Sequence, residues 1–437
     1  MKKMADDLNL PSESFCILPW VQLYADTEGN LRPCPLAIRD EQAEGCGANV
    51  GPETAYGPEG VEGAWNAPLM KTMRREMLAG KRPAACRYCF RDEDLGVQHY
   101  RRDFNREFRD HVDEAAASTS EDGASPVNLI RKIDLYLGNS CNLRCRMCSP
   151  VASKALIPEW AELGDEQEQN PRLEQLQHLD WFTGNDLWRA IENHVSHIDR
   201  LHFAGGEPML IPQMFEILER VIALGKARDI TLSYNSNLTL LPRRLFDLWS
   251  HFKGVRVTAS IDGFGEVNSF IRYPSHWPTI ENNLRELDAG WKELSLQSLS
   301  LNVTVQVYNI FRLDELLEYA ATSFAHLAQP NLSLLSQPDH LDIRILPPDM
   351  KESAAARLRS FARRFAGRWP ERWHGRQVEE LLAALDGIIS YMKSDDRSRL
   401  IPEFRRWCEH QDQFRGHHVL NVMPELAPLF ARPFDSD

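Results

Sequence analysis

Three cysteines stand close together in the stretch GNSCNLRCRMCSP, residues 138–150. Cys141, Cys145 and Cys148 form the pattern C-x3-C-x2-C. Cysteine thiolates are the usual ligands of iron–sulfur clusters. A cubane cluster has four irons, so three cysteines leave one iron open to an exogenous molecule, as a catalytic zinc keeps one position for its substrate. The alternative is a zinc site with a distant fourth ligand, such as Cys408 or a histidine. We favour the cluster because zinc ribbons pair two C-x2-C elements.

A second group of cysteines precedes the first. Cys16 and Cys34 flank a hairpin-like segment, and Cys86 and Cys89 form a C-x2-C pair. Four thiolates close a site with no open position, which suits an electron-transfer cluster or a structural zinc. The spacing alone leaves both metals open.

Composition and charge narrow the class of protein. The chain has 437 residues and a formal net charge of −13, which disfavours binding to nucleic acid through phosphate neutralisation. No apolar stretch is long enough for a membrane span, and the N-terminus has no apolar core of a secretory signal. We therefore expect no membrane partner and a cytoplasmic protein with reduced thiols.

Of the two remaining cysteines, Cys46 is expected to be a bystander or alternative ligand and Cys408 a packing residue.

The elements that position these cysteines follow from hydrophobic patterns. Between residues 126 and 348, apolar β-type runs alternate with helical patterns, which predicts an α/β fold with a parallel sheet, open or closed into a partial (β/α)6 barrel. The six predicted strands are KIDLYLG, HIDRLHFAGG, DITLSYNSN, GVRVTASIDG, LSLNVTVQV and HLDIRIL. In such folds the chemistry collects at the carboxyl ends of the strands, where the three cysteines lie.

Two further regions flank the predicted barrel. Residues 1–125 form a cysteine-rich domain with a helix at residues 68–79, and the stretch DEAAASTSEDGASP, residues 113–126, is expected to be a linker. Residues 349–437 are expected to be a helical extension.

The sequence around the three cysteines resembles the radical S-adenosylmethionine (radical SAM) superfamily. The segment AGGEP, residues 204–208, closes the second predicted strand, as the Gly-Gly-Glu motif of that superfamily does. The resemblance implies that Gly205, Gly206 and Glu207 hold the amino group of the methionine moiety of S-adenosylmethionine. It implies a TIM-like partial barrel with a 4Fe–4S cluster on Cys141, Cys145 and Cys148.

Later strand ends supply further polar residues at positions where related enzymes bind the ribose hydroxyls and the methionine carboxylate. These residues are Asn235, Asn237, Ser260, Asp262 and Arg272. A carboxylate accepts hydrogen bonds from ribose hydroxyls, and a guanidinium binds a carboxylate in bidentate fashion.

One departure from the superfamily concerns the residue before the third cysteine. It is often aromatic in related proteins, and here it is Met147, which is soft enough to pack on adenine.

The N-terminal region resembles the module of twitch-type radical SAM proteins, related to SPASM auxiliary-cluster domains. The stretches that carry the resemblance are FCILPW, EGNLRPC and WNAPLMKTMRREMLAGKRPAACRYCFRDEDLG. It implies an auxiliary 4Fe–4S cluster at Cys16, Cys34, Cys86 and Cys89, with structural zinc as the alternative.

Four aromatic residues have ordinary structural interpretations. Trp20, Tyr24 and Trp65 are expected in the core of the small N-terminal domain, although shielding a cluster is an alternative. His202, on the second predicted strand, is expected to be a hydrogen-bonded interior histidine rather than a residue of the cavity.

The resemblance implies an enzyme that cleaves S-adenosylmethionine reductively to a 5′-deoxyadenosyl radical and abstracts a hydrogen. We expect a peptide or small-molecule substrate such as a natural-product intermediate, and a flavodoxin- or ferredoxin-type reductant. An auxiliary cluster favours net oxidation, hence an oxidoreductase or maturase. The alternatives are a radical SAM methyltransferase or sulfur-inserting enzyme, and a non-catalytic iron–sulfur or zinc-binding protein.

Overall fold

A single sheet of eight strands forms the centre of the molecule. The computed structural model describes residues 8–37, 60–97, 100–163, 166–368, 373 and 376–431, so Cys46 lies outside the described residues. The strands are β1 (Gln22–Ala25), β2 (Leu31–Arg32), β3 (Lys132–Tyr136), β4 (Arg200–Ala204), β5 (Thr231–Ser236), β6 (Gly254–Ser260), β7 (Leu296–Val305) and β8 (Asn331–Leu334). Their order is β2-β1-β3-β4-β5-β6-β7-β8, and every neighbouring pair is parallel except β1 with β2.

Helices surround this sheet and continue beyond it. Before β3 they are α1 (Leu18–Val21), α2 (Gly60–Trp65), α3 (Pro68–Leu78), α4 (Arg87–Asp94), α5 (Tyr100–Glu107) and α6 (Val112–Ala117). Between β3 and β8 they are α7 (Ile157–Ala161), α8 (Glu166–Gln177), α9 (Asn185–His194), α10 (Pro212–Ala223), α11 (Arg244–Trp249), α12 (Glu266–Ile271), α13 (Trp277–Ala289) and α14 (Leu313–Ser323). After β8 they are α15 (Pro348–Arg368), α16 (Arg376–Lys393), α17 (Ile401–Arg415), α18 (Val419–Val422) and α19 (Ala427–Ala431). In the described part of the chain, none of these helices has the length and apolar composition to cross a bilayer.

The expected α/β class and partial barrel are confirmed, because β3 to β8 are six parallel strands alternating with helices. One predicted strand is wrong. HLDIRIL forms two short 3-10 turns, and the sixth strand is β8, upstream of it. The side chain of Asp342 accepts a hydrogen bond from the backbone N–H of Arg344, which folds this segment into a turn although its apolar residues alternate as in a strand.

The flanking regions also differ in part from the expectation. The N-terminal hairpin β1–β2 belongs to the same sheet as the barrel, because β1 pairs in parallel with β3. The stretch expected to be a linker begins inside α6, where Ala115 is fully buried. Alanine favours helix, so the alanine run extends the ordered structure before the turn residues begin. The C-terminal part is helical as expected, and Cys408 on α17 is buried near the hydroxyl of Tyr308 at 3.5 Å.

The two faces of the sheet differ in polarity. On β6, Val255, Val257 and Ala259 are buried beneath the outer helices, while Thr258 and Ser260 alternate with them toward the concave face. The outer helices supply matching apolar stripes; on α10 the buried positions are Met214, Phe215, Ile217, Leu218 and Val221. The concave face is therefore free for polar side chains.

A buried polar network occupies the concave face below the carboxyl ends of β3 to β5. The ammonium group of Lys132 donates to Asp134 at 2.8 Å and to Gln22 of β1 at 2.6 Å. His202 of β4 shares a hydrogen bond of 2.8 Å with Ser233 of β5, and its other ring nitrogen lies 3.8 Å from Asp134. The expectation that His202 is an interior, hydrogen-bonded histidine agrees with this placement.

The C-terminal helix α17 packs against the segment that follows β3. Arg415 pairs with Glu159 of α7 at 2.9 Å, and both side chains are buried. Nearby, Arg146 pairs with Asp412 of α17, and the indole of Trp407 donates to the backbone oxygen of Arg146 at 3.2 Å. These contacts hold the C-terminal extension on the barrel.

Removal of one member of the buried pair should destabilise the protein. We expect Arg415→Met to lower the free energy of unfolding by about 3–5 kcal/mol, because Glu159 is left as a buried, unpaired charge. Denaturant titration measures this. Arg243→Met removes an exposed ion pair with Glu286 and should change stability by only about 0.5 kcal/mol. The double variant Glu159→Leu/Arg415→Met should recover part of the loss; equal effects at Arg415 and Arg243 would contradict the argument.

The buried histidine predicts a pH dependence of stability. Burial lowers the pKa of His202 to about 4, with nearby Lys132 and Arg200 lowering it further and Asp134 opposing them. Between about pH 6.5 and pH 4 the unfolded chain binds more protons at this site than the folded chain, so stability falls as the pH falls. We expect up to about 3 kcal/mol from this residue.

Denaturant titrations across this pH range test the prediction with His202→Gln. The variant should show a shallower loss of stability below pH 6.5 than the unmodified chain. His251 is exposed, so His251→Gln is the matched control and should keep the original slope. An unchanged slope in His202→Gln would show that this ring is not the titrating group.

Candidate active site

A cavity of about 540 Å³ lies at the carboxyl ends of the barrel strands. The following predicted site residues line it: Cys141, Cys145, Cys148, Gly205, Gly206, Asn235, Asn237, Ser260 and Arg272. Met147, Glu207 and Asp262 do not line it. The structure thus brings most of the predicted residues around one space, although they come from four different strand ends.

The three-cysteine loop, residues 138–150, is tied to the rest of the protein on both sides. The backbone N–H of Arg146 donates to the oxygen of Ile271 at 2.8 Å, so the loop runs beside the end of α12. Inside the loop region, the side chain of Asn139 donates to the backbone oxygen of Pro150 at 2.8 Å, and Ser153 donates to Leu143 at 2.6 Å. The loop is therefore a fixed support for its thiols.

The three thiols lie close to one another, with Cys145 buried and Cys141 and Cys148 half-buried. Burial raises the pKa of Cys141 to about 12, and the neighbouring Cys145 adds to the rise. Cys145 and Cys148 share a hydrogen bond, which lowers the pKa of Cys145 and, together with burial, raises that of Cys148. Three thiolates at such a site need a compensating cation. The donor set therefore fits an iron–sulfur cluster, whose irons supply that charge.

Gly205 and Gly206 lie against the backbone of the segment that leads into the three-cysteine loop. Their φ angles are +78° and +52°, which favour glycine. A Cβ on Gly205 would lie 2.8 Å from backbone atoms of Tyr136, and one on Gly206 would lie 2.3 Å from the oxygen of Ser140. Both positions require glycine for this close approach.

Glu207 lies behind the cavity wall. Its carboxylate accepts hydrogen bonds from the backbone N–H of Asn237 at 2.7 Å, the hydroxyl of Ser236 at 2.9 Å and the N–H of Met209 at 3.2 Å. Burial raises its pKa to about 7, against the effect of these donors. The side chain joins the ends of β4 and β5, so in this structure it supports the wall from behind.

Asn237 connects this wall to the cysteines. Its side-chain nitrogen lies 3.0 Å from the oxygen of Asn142 and 3.8 Å from the sulfur of Cys141. Its side-chain oxygen accepts from Thr239. Asn235 and Ser260, by contrast, are half-buried on the cavity surface and available to a ligand.

Arg272 and Asp262 form an ion pair of 2.7 Å between Nε of Arg272 and a carboxylate oxygen of Asp262. Asp262 is fully buried and also accepts from the backbone N–H of Thr304 at 2.7 Å. Burial lowers the pKa of Arg272, but Asp262 and the thiols of Cys145 and Cys148 outweigh this and raise it. Asp262 therefore orients the guanidinium from behind, and Arg272 presents a permanent positive charge at the cavity.

Met147 sits in the three-cysteine loop, half-buried against the hydrophobic core. Met147 does not line the cavity, so its expected contact with the adenine of S-adenosylmethionine stays a prediction.

The four-cysteine site, Cys16, Cys34, Cys86 and Cys89, surrounds a separate small pocket that is also lined by Met77, Phe90 and Tyr100. Burial raises the pKa of all four thiols, and the neighbouring thiols raise those of Cys16, Cys86 and Cys89 further. Arg101 also lines this pocket and pairs with buried Glu93 at 2.6 Å. The structure thus brings these four cysteines together around one pocket, although they lie far apart along the chain.

Each of the two cysteine groups lines a pocket. In the described part of the chain, no three or more His, Cys, Asp or Glu side chains are arranged to hold a single metal ion. This finding concerns one ion at one point, whereas a cubane cluster fills a volume between its ligands.

Sequence reasoning missed one part of the cavity wall, which comes from the β1–β2 hairpin, β3 and α8. The residues are Tyr24, Asp26, Thr27, Glu28, Arg32, Tyr136 and Arg172. The turn residues between the two short strands indicated a hairpin, but only the pairing of β1 with β3 places it at the cavity. Tyr24, expected in a separate core, is a cavity residue. Trp20 and Trp65 are buried as expected.

Comparison with known sequences assigns the central part of the chain. Residues 135–319 match the model of the radical SAM superfamily. A GTP 3′,8-cyclase of Trichodesmium erythraeum (strain IMS101) is 24% identical over 186 residues, which cover 41% of this chain and 49% of that protein. A GTP 3′,8-cyclase of Geobacter sulfurreducens is 29% identical over 135 residues, covering 30% and 34%. The chain spans less than half the length of these curated relatives.

Solved structures resemble the chain more loosely. Streptococcus suis SuiB bound to S-adenosylmethionine has a TM-score of 0.34 at 10% identity, covering 68% of this chain and 61% of SuiB. Native anSMEcpe with bound AdoMet and Cp18Cys peptide has a TM-score of 0.35 at 14% identity, covering 54% and 61%. These scores are too low to carry an argument about function. The part of the chain that is similar to the radical SAM superfamily, residues 135–319, contains the three cysteines and the Gly-Gly-Glu segment.

Proposed function

We propose that this chain is an enzyme that cleaves S-adenosylmethionine reductively and uses the resulting 5′-deoxyadenosyl radical to remove a hydrogen from a substrate. The observation that carries the proposal is the shared cavity, which is lined by the three cysteines, the glycine pair and Arg272. When bound, the 4Fe–4S cluster and S-adenosylmethionine supply the electron transfer and the bond cleavage. The chain holds, orients and shields them.

Each group of S-adenosylmethionine has a matching part of the wall. The terminal nitrogens of Arg272 make no hydrogen bond to other described residues, and they suit the methionine carboxylate. The backbone of Gly205 and Gly206 lines the cavity and suits the amino group. Ser260 and Asn235 suit the ribose hydroxyls.

We assign an auxiliary 4Fe–4S cluster to the four-cysteine site. The support is the arrangement of the four cysteines around one pocket. A fully ligated cluster can accept the electron left on a substrate radical, which favours net oxidation. Structural zinc is the alternative occupant. Reduced thiols are typical of cytoplasmic proteins, so we place the enzyme in the cytoplasm. We expect a flavodoxin- or ferredoxin-type protein to reduce its clusters.

We favour a peptide or natural-product intermediate as the substrate. The cavity extends beyond the residues assigned to S-adenosylmethionine and includes charged and aromatic side chains of the hairpin. A guanine nucleotide is the second candidate, which the names of the curated relatives favour. A methyltransferase, a sulfur-inserting enzyme and a non-catalytic metal protein are the remaining alternatives.

Loss of one cysteine in each site should separate the two metal centres. We expect Cys145→Ala to abolish the formation of 5′-deoxyadenosine, because the S-adenosylmethionine-binding cluster loses a ligand. Cys86→Ala should retain part of this cleavage, because it alters only the four-cysteine site. The measurement is 5′-deoxyadenosine formed after oxygen-free reconstitution with iron and sulfide, with dithionite as reductant.

The metal content identifies the occupant of the second site. Seven to eight irons per chain indicate two clusters, whereas four irons and one zinc indicate a structural zinc. Cys408→Ala is the control, because this thiol packs on Tyr308 and should leave both iron content and cleavage unchanged. A fully reconstituted chain that forms no 5′-deoxyadenosine would refute the proposed function.

Substitution of a residue in the glycine pair should disturb iron binding by the three-cysteine loop. We expect Gly206→Ala to lower the iron bound by the three-cysteine loop, because the new Cβ would displace the Ser140 carbonyl. Gly225 has a similar φ of +71° but open space around it, so Gly225→Ala should cost only the backbone strain of about 1–2 kcal/mol. Iron content and denaturant titration of both variants are the measurements. Equal iron content in the two variants would contradict the steric argument.

A further inference from the structure

Part of the cavity wall carries donors that the proposed binding of S-adenosylmethionine does not use. Tyr24 on β1 lies directly opposite Arg32 on β2 in the antiparallel register, so their side chains share a face. The ring of Tyr24 packs edge-on against that of Tyr136 on β3, with 5.0 Å between centroids. All three residues line the cavity.

These donors lack acceptors within the described part of the chain. The hydroxyls of Tyr24 and Tyr136 make no hydrogen bond there, although Tyr24 is only 3% exposed. Arg32 donates one terminal nitrogen to the backbone oxygen of Ala37 and makes no other polar contact with the described residues. These donors line the cavity, so a ligand bound there can supply the acceptors.

The neighbouring carboxylates already have partners. Asp26 accepts from the backbone N–H groups of Glu28 and Asn30 at 3.0 Å and holds the hairpin turn. Glu28 pairs with Arg172 at 2.6 Å. On this side of the cavity the two carboxylates, Asp26 and Glu28, are balanced by the two guanidinium groups of Arg32 and Arg172. Selectivity for a ligand would therefore come from the unused hydrogen-bond donors rather than from net charge.

We propose that Tyr24, Arg32 and Tyr136 bind an anionic group of the substrate, a carboxylate or a phosphate. Both groups offer several acceptor oxygens, and a guanidinium with two hydroxyls matches them. The inference rests on the proposed function, because it takes this cavity as the place where the substrate meets the radical. It assigns to the N-terminal hairpin the recognition of the substrate.

Binding of small anions tests the site without turnover. Isothermal titration calorimetry would use the full chain reconstituted with iron and sulfide, without oxygen or reductant. Saturating S-adenosylmethionine would occupy the side of Arg272. Inorganic phosphate and glutarate are the two probes. We expect Arg32→Gln to weaken binding about tenfold or more, because a hydrogen bond to a charged group contributes about 1.5–3 kcal/mol.

Further variants separate recognition from folding. Tyr24→Phe keeps the ring and should still weaken binding several-fold, because it removes only the hydroxyl. Arg243→Gln removes an exposed charge away from the cavity and should bind both probes as the unmodified chain does. Circular dichroism of each variant checks the fold.

The outcomes distinguish the sources of the anion. Binding of phosphate alone supports a phosphorylated substrate such as a nucleotide, and binding of glutarate alone supports a carboxylate such as an acidic peptide. The inference would be overturned if neither probe binds. It would also be overturned if the unmodified chain and Arg32→Gln bind the probes equally well. Formation of 5′-deoxyadenosine by the unmodified chain is measured separately, so a failed anion site is distinguishable from a failed proposed function.

Discussion

The close approach of Gly205 and Gly206 to the segment before the three cysteines is the contact on which the rest of the site depends. The backbone N–H of Glu207 donates to the oxygen of Ser140 at 2.9 Å, so the end of β4 is bonded directly to this segment. The carboxylate of Glu207 then accepts from the backbone N–H of Asn237 at the end of β5. One short chain of contacts thus joins three strand ends and fixes the thiols relative to the cavity wall.

The opposite side of the three-cysteine loop is held by the C-terminal region. Arg146 of the loop is completely buried, lies over the ring of Phe270 at 3.6 Å and pairs with Asp412. The loop is therefore held between the barrel and α17. Such preorganisation matters because a metal cluster and its substrate need their ligands at fixed positions before the chemistry begins.

The features predictable from the sequence were those with local causes. The spacing of Cys141, Cys145 and Cys148, the glycine pair and the alternation of strands with helices depend on neighbours along the chain. The orientation of Asp262 toward Arg272 and the turn at Asp342 depend on contacts between distant segments. For the same reason the hairpin itself was recognised, but its place in the sheet was not, because β1 finds β3 only in three dimensions.

The pairing of β1 with β3 also governs how the chain can assemble. Gln22 on β1 lies beside Lys132 on β3, and 110 positions separate the two along the chain. Without β1, the edge of β3 would present unpaired backbone groups, a surface that promotes aggregation. The N-terminal segment is synthesised before its partner strand. Contacts between such distant positions also form slowly. The edge of β3 therefore stays unprotected until both the N-terminal hairpin and the barrel strand have been made.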